Sequence, residues 1–158
     1  MENLNEAKMN LTCHIDFDGR CEEAFHLYAE YLDAKIGLIV KIADSPLAST
    51  TPDNWQGKIL HGNIHLQGIN IAGADVQPES YVKPQGFSLL LGFQSEAKVK
   101  SMFNQLSCGG KVILPPQNTF WSPCYAIVID RFNVPWKLNC ATGARSALSR
   151  LIWQRRHA

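Results

Sequence analysis

The element order β-α-β-β-β is predicted twice in this 158-residue chain, with the second copy offset from the first by roughly 75 residues. A chain that repeats such an order is expected to form two similar units, each with one sheet and one helix. The repeat is one of hydrophobic pattern, because no residue-level identity accompanies it. It predicts an α+β fold of two tandem modules, at residues 11–74 and 87–140, that together form one domain at residues 11–140, after a tail at residues 1–10.

The first half contains four strand-like segments and one helical segment. The predicted strands cover residues 11–17, 36–43, 59–66 and 69–73. Between the first two strands, Phe25 and Tyr28 belong to an apolar stripe with helical spacing. Residues 44–58 are rich in proline, serine and threonine and predict a long loop. In the third strand, Leu60 is expected on the apolar face and His61 on the polar face.

The second half repeats this order. The predicted strands cover residues 87–93, 111–114, 124–130 and 134–140. Ser95 is a plausible N-cap for the intervening helix, and Gly109 is placed to end it. A further helix is predicted at residues 144–157, where four arginines surround an apolar stripe. This basic C-terminal helix, within residues 141–158, lies outside the repeat.

Charge and cysteine content narrow the function classes. Fifteen Lys and Arg against fourteen Asp and Glu give a formal net charge of +1, so neither nucleic acid nor an anionic membrane is indicated as a partner. The apolar runs are too short to span a bilayer. The five cysteines are odd in number and include no CxxC pair, which argues against a disulfide framework and a zinc knuckle. We expect a soluble protein in the reducing cytoplasm.

Four stretches of the chain carry a resemblance to a known family. They are residues 17–25, 58–61, 117–121 and 130–139. The two most specific read QNTFW at 117–121 and DRFNVPWKLN at 130–139. With the repeated element order, they resemble the vicinal oxygen chelate superfamily, and more narrowly its PhnB-like branch. The chain departs from the branch at Asn118, where Glu is usual, and at Asn133, where Gly is usual.

The resemblance implies the glyoxalase/bleomycin-resistance fold, in which each sheet curls into a half-cup with a helix outside and a ligand inside. It also implies a homodimer and a small organic ligand. Members of this branch often carry the description of a demethylubiquinone methyltransferase. This sequence has no Gly-rich nucleotide loop after its first strand, and a methyl-donor fold would need a parallel sheet with crossover helices.

Superfamily members that use a metal place its ligands on the first and last strands of each module. Alignment by strand brings His14, Ala72, Ser88 and Lys137 to those places, and only His14 could bind a divalent ion. A protonated lysine would also repel the ion. The expectation is therefore a protein with no metal and no cofactor. The alternative is a metal-dependent lyase, transferase or dioxygenase that uses histidines such as His14, His61 and His65, and the sequence does not settle whether the protein is an enzyme.

Several polar and aromatic residues are candidates for binding the small molecule. The candidate ligand-binding residues are His14, His61, Ser88, Trp121, Lys137 and Asn139. His61 matches a histidine of the PhnB-like pattern, while Lys137 and Asn139 share one face of a strand. Each has a structural alternative, such as a hydrogen-bonded histidine or a solvent-facing lysine, and the core interpretation is favoured for Phe120 and Trp121. In a third hypothesis the basic C-terminal helix makes the protein an interaction module.

Overall fold

A computed structural model describes residues 11–66 and 68–141, which divide into two compact units between Tyr81 and Val82. The first unit contains β1 (Cys13–Phe17), α1 (Cys21–Leu32), β2 (Lys35–Lys41), β3 (Ile59–Leu66) and β4 (Ile69–Asp75). The second contains β5 (Leu89–Phe93), α2 (Glu96–Ser107), β6 (Lys111–Gln117), β7 (Tyr125–Ile129) and β8 (Pro135–Cys140). The predicted helix at 144–157 lies outside the described residues.

Each unit has the same sheet topology. The first sheet has the strand order β1-β4-β3-β2, and the second has the order β5-β8-β7-β6. In each sheet the first and last strands pair in parallel, while the other pairs are antiparallel. The predicted α+β fold of two β-α-β-β-β modules is confirmed.

Helix α1 covers one face of the first sheet. Its buried side chains include Phe25 and Tyr28 from the predicted apolar stripe. A Cβ atom at Gly73 on β4 would come within 2.8 Å of Phe17 and 3.0 Å of Phe25, so only glycine allows this close approach of sheet and helix. Asp75, at the end of β4, accepts hydrogen bonds of 2.8 Å from the backbone N–H groups of Cys21 and Ile59. Asp75 therefore ties the start of α1 to the start of β3.

The expected burial of Leu60 is wrong. The structure buries Ile59 completely and leaves Leu60 half-exposed. The register between β2 and β3 shifts here, because Lys41 is opposite Ile59 while Val40 is opposite His61. Such a bulge inserts one extra residue and changes which side chains face the core.

The second sheet is covered by α2, which begins and ends as predicted. The Ser95 hydroxyl accepts a hydrogen bond of 3.3 Å from Lys98 N, and Gly109 adopts a φ of 73° just beyond the helix. Strand β6 continues three residues past its predicted end, through two prolines. An edge strand tolerates prolines because half of its N–H groups have no neighbouring strand to bond.

The turn before β8 is built around Asp130, which is only 4% exposed. One carboxylate oxygen of Asp130 accepts hydrogen bonds from the backbone N–H groups of Phe132 and Val134, and the other accepts from Trp136 Nε1. Asn133 adopts a φ of 67°, a left-handed conformation that asparagine tolerates better than most residues. This explains why asparagine can replace the glycine expected at position 133.

Among the described helices, none is long and apolar enough to cross a membrane.

Candidate functional site

The face of the first sheet that is turned away from α1 carries most of its polar side chains. We call it the helix-free face of the first sheet, because no α-helix among the described residues of this unit lies on it. Because side chains alternate along strands and register partners share a face, its members follow from the strand pairing. They are His14 and Asp16 on β1, Asn70, Ala72 and Ala74 on β4, and His61, Asn63 and His65 on β3.

The candidates His14 and His61 meet above this face. Their ring centroids are 6.2 Å apart, and the rings are stacked with an interplanar angle of 26°. They come from strands that do not pair, since β4 lies between β1 and β3. The alanines of β4 are small enough for the two imidazoles to approach over it. His14 Nδ1 also lies 3.5 Å from a carboxylate oxygen of Asp16.

A chain of hydrogen bonds crosses the same face. The backbone N–H of Leu38 donates to Asn63 Oδ1 at 2.7 Å, and Asn63 Nδ2 donates to Asn70 Oδ1 at 3.2 Å. Asn70 Nδ2 in turn donates to Thr12 Oγ1 at 3.4 Å. These hydrogen bonds fix the amides of Asn63 and Asn70 beside the histidine pair and do not involve the imidazoles.

The helix-free face of the second sheet has a different chemistry. Lys137 and Asn139 on β8 alternate with the buried Trp136, Leu138 and Cys140, so both point away from α2 as predicted. Their register partners on the neighbouring strands are mostly apolar or aromatic. Lys137 lies between Leu90 and Ile127, and Asn139 lies between Gly92 and Tyr125.

Asn139 carries an unmet hydrogen-bonding group. Its side-chain oxygen Oδ1 is enclosed and has no hydrogen-bond partner in the described part of the chain. An enclosed acceptor without a donor costs about 1–3 kcal/mol, so such atoms are commonly paired with water or a ligand. Beside it, a Cβ atom built on Gly92 would meet nothing within 4 Å, which leaves space for a ligand group next to the amide.

A row of three aromatic rings ends at Tyr125, which is the register partner of Asn139. The ring centroids of Phe120 and Trp121 are 4.6 Å apart, and those of Trp121 and Tyr125 are 5.4 Å apart, both edge to face. Phe120 is 82% exposed and Trp121 is half-buried, so the favoured interpretation of both as core residues is wrong. The loop after β6 displays these rings at the surface instead, because neither sits on a strand or helix face.

The structure adds Tyr125 to the candidates. The strand predicted at residues 124–130 includes Tyr125, but the strand pattern does not predict its ring contact with Trp121 or its pairing with Asn139. The alternation of β7 indicates which way Tyr125 points. Tyr125 and Ile127 lie on one face of the strand, and the buried Ala126 between them lies on the other. Partial burial raises the pKa of the Tyr125 hydroxyl, which therefore stays protonated at neutral pH.

The positions that hold metal in the superfamily do not form a metal site here. His14 is the register partner of Ala72, as the strand alignment predicts, and alanine has no donor atom. In the second sheet the partner of Lys137 is Leu90, while Ser88 lies just before β5 begins. Ala72 offers no ligand atom, and the positively charged ammonium group of Lys137 repels a divalent cation.

The alternative trio of histidines does not converge either. His61 and His65 are separated by four residues on β3, or roughly 13 Å at the rise of a strand. Over residues 11–66 and 68–141, no three or more His, Cys, Asp or Glu side chains are grouped so that they could hold a metal ion.

The cysteine side chains give no sign of nucleophilic chemistry. Burial raises the pKa of the Cys21 thiol strongly, and it also raises the pKa values of Cys13 and Cys124. A raised pKa keeps a thiol protonated and unreactive. Cys108 is exposed, but it lies beside the Gly109 turn with Arg131 donating to its backbone oxygen, away from the helix-free face.

Comparison with known proteins identifies relatives over most of the chain. Residues 9–139 match the family model described as 3-demethylubiquinone-9 3-methyltransferase. Protein YjdN of Escherichia coli (strain K12) is 30% identical over 139 residues, which cover 83% of this chain and 95% of YjdN.

Solved structures resemble the fold. Protein PA1353 from Pseudomonas aeruginosa is 31% identical, with a TM-score of 0.75 and coverage of 84% of this chain and 97% of that one. A PhnB protein from Bacillus cereus is 21% identical, with a TM-score of 0.72 and coverage of 84% and 100%. A mutant of the fosfomycin resistance protein FosX from Listeria monocytogenes, complexed with Mn(II) and a dihydroxypropylphosphonic acid, is 10% identical. Its TM-score is 0.62 with coverage of 89% and 98%, a likeness of fold alone.

Proposed function

The chain belongs to the PhnB-like family of the vicinal oxygen chelate superfamily, and from this membership we propose that it binds a small organic molecule without a catalytic metal. The binding groups are those of the helix-free faces. They comprise His14 and His61 on the first sheet, and Lys137, Asn139 and Trp121 on the second. Ser88, which precedes β5, remains a candidate at the edge of the second sheet.

The observation that carries this proposal is the neighbourhood of Asn139. Within the part of the chain that the structure describes, the side-chain oxygen of Asn139 is enclosed without a partner, and the position over Gly92 is open. Tyr125, the register partner of Asn139 on β7, adds an aromatic ring that packs against Trp121. Small-molecule sites typically combine apolar and aromatic walls with a few polar groups that orient the ligand. The second sheet offers this combination.

The first sheet supports the proposal with a different set of groups. The stacked imidazoles of His14 and His61 can donate to or accept from ligand oxygens. The neighbouring amides are already occupied by the hydrogen-bond chain through Asn63. His14 and His61 lie outside this hydrogen-bond chain, and they are the ligand-binding groups proposed for this face.

Methyl transfer, the reaction in the family description, is not part of the proposal. Each sheet contains a single parallel strand pair, and the remaining pairs are antiparallel. Open parallel sheets bind nucleotides at the carboxyl ends of their strands, and neither sheet is of that kind.

Ligand-observed NMR screening of a fragment library against chelator-treated protein tests the proposal. We expect fragments to bind wild type and to bind the His61→Ala or Lys137→Ala variant at least about tenfold more weakly, a loss of about 1.4 kcal/mol. The matched controls His26→Ala and Lys98→Ala change exposed residues of α1 and α2 and should bind as wild type does. Unchanged binding in both site variants would contradict the proposal. Sedimentation of the same samples tests the expected homodimer.

A further inference from the structure

We propose that the helix-free face of the second sheet is specific for an aromatic acid that carries a hydrogen-bond donor, such as a phenolic carboxylate. This inference rests on the proposed function and names the class of ligand. It combines Asn139, Lys137 and Tyr125, which the register of β7 and β8 brings to one face, with Trp121, whose ring packs against that of Tyr125.

The donor requirement comes from Asn139. Its enclosed Oδ1 has no hydrogen-bond partner among residues 11–66 and 68–141, so a ligand acceptor gains nothing there, whereas a ligand O–H or N–H removes an existing desolvation cost. Gly92 is the register partner of Asn139 on β5, and a Cβ atom built on it would meet nothing within 4 Å among the described residues, so a ligand group can approach the amide from this side. A ligand donor that enters over Gly92 can then bond this oxygen.

The acid requirement comes from Lys137. It lies two residues before Asn139 on the same face, roughly 7 Å away along the strand by the usual rise. Among the described residues, no carboxylate lies within ion-pair distance of its ammonium group. Its strand neighbours Leu90 and Ile127 are apolar, so a ligand carboxylate is the charge that complements it.

The aromatic requirement comes from the rings beside Asn139. Tyr125 lies directly opposite Asn139, and Trp121 packs edge-on against Tyr125. A flat ring that lies against this pair can direct one substituent to Asn139 and the substituent across the ring to Lys137. Aromatic pairs gain an attraction between their rings beyond the area they bury, which an aliphatic ring does not obtain.

A matched series of probes tests each requirement on wild-type protein. The probes are 4-hydroxybenzoate, 4-methoxybenzoate, 4-hydroxybenzamide and trans-4-hydroxycyclohexanecarboxylate, titrated by protein-observed NMR. We expect 4-hydroxybenzoate to bind at least about tenfold more tightly than each of the others, because each lacks one requirement. Equal affinities for the hydroxy and methoxy compounds would overturn the proposal, and this comparison does not depend on any variant.

Two site variants and one control test whether Asn139 and the space over Gly92 produce the preference for 4-hydroxybenzoate. Asn139→Leu should fold, since it replaces an unpaired polar group by an apolar one, and should abolish the preference for hydroxyl over methoxy. Gly92→Val fills the space over this position in an extended strand and should weaken 4-hydroxybenzoate about tenfold. The control Asn104→Leu changes an exposed residue of α2 and should retain the preference. A preference that survives Asn139→Leu would contradict the assignment.

Failure of this inference is distinguishable from failure of the proposed function. If fragments bind the helix-free faces but show no preference for a donor, only the ligand class is wrong. If no fragment or probe binds either face, the proposed function is wrong as well.

Discussion

Trp136 Nε1 donates a 2.8 Å hydrogen bond to the carboxylate of Asp130, and both residues are buried. The other carboxylate oxygen of Asp130 accepts from two backbone N–H groups of the turn. This bond joins the turn to the first residues of β8, the strand that carries Lys137 and Asn139. The candidate site therefore depends on a buried polar cluster on the opposite side of its own strand.

Asp130→Ala should destabilise the protein by about 3–5 kcal/mol, because it leaves three buried donors without an acceptor. Trp136→Phe removes only one of these bonds and should cost less. Urea unfolding of both variants measures the losses. A loss below about 1 kcal/mol for Asp130→Ala would contradict the importance of this cluster.

Substitutions at Asn133 test whether this residue of the same turn adopts the left-handed conformation in solution. Asn133→Ala and Asn133→Gly both remove the side-chain amide, so their difference reports the backbone alone. Because a left-handed φ of 67° disfavours a Cβ atom, the alanine variant should be less stable than the glycine variant by about 1 kcal/mol. Equal denaturation midpoints for the two would show that the conformation is not retained in solution.

The carboxyl group of Asp75 is expected to make the free energy of unfolding depend on pH. Burial raises the pKa of its carboxyl above the ordinary value, against the lowering effects of its two backbone donors and of Lys58. The folded state then holds this proton where the unfolded chain has released it, so this group's contribution to stability is largest below the ordinary Asp pKa. That contribution is lost as pH rises through the raised pKa.

Wild type should therefore gain stability relative to Asp75→Asn as pH is lowered from about 7 to about 4. Unfolding free energies of the two proteins, measured in parallel at several pH values, give this difference. A difference that stays constant or narrows on acidification would mean that the pKa of Asp75 is not raised.

The thiols should react in order of exposure. Cys108 is exposed, whereas Cys21 is buried with a raised pKa, so a thiol reagent should modify Cys108 faster by on the order of 100-fold. The Cys108→Ser variant should lose this rapid phase, and denaturant should restore reaction of the remaining cysteines. Rapid labelling of Cys21 in the native protein would contradict its buried position.

Much of the fold could be predicted from hydrophobic periods, because strands such as β1, β7 and β8 bury every second side chain. The predicted burial and strand ends are wrong where a local feature of the backbone interrupts the two-residue period of a strand. Leu60 was misplaced by a bulge, and β6 extends beyond its predicted end because an edge strand accommodates Pro115 and Pro116.

Less of the candidate site could be predicted. The two-residue spacing of Lys137 and Asn139 predicts that they share a face. The resemblance of residues 58–61 to the PhnB-like pattern makes His61 a candidate. The meeting of His14 with His61 depends on the register of three strands, and the bridge through Tyr125 depends on a loop conformation. Sequence periodicity contains neither kind of information.

The most direct test of the central claim is the amide spectrum of chelator-treated, ¹⁵N-labelled protein during titration with the tightest fragment from the screen. Binding at the helix-free face of the second sheet, without metal, predicts saturable shifts at Gly92, Tyr125, Lys137 and Asn139, and the same shifts after Mn²⁺ is added. Shifts that are absent until metal is supplied, or that are confined to residues of α1 and α2, would contradict the claim.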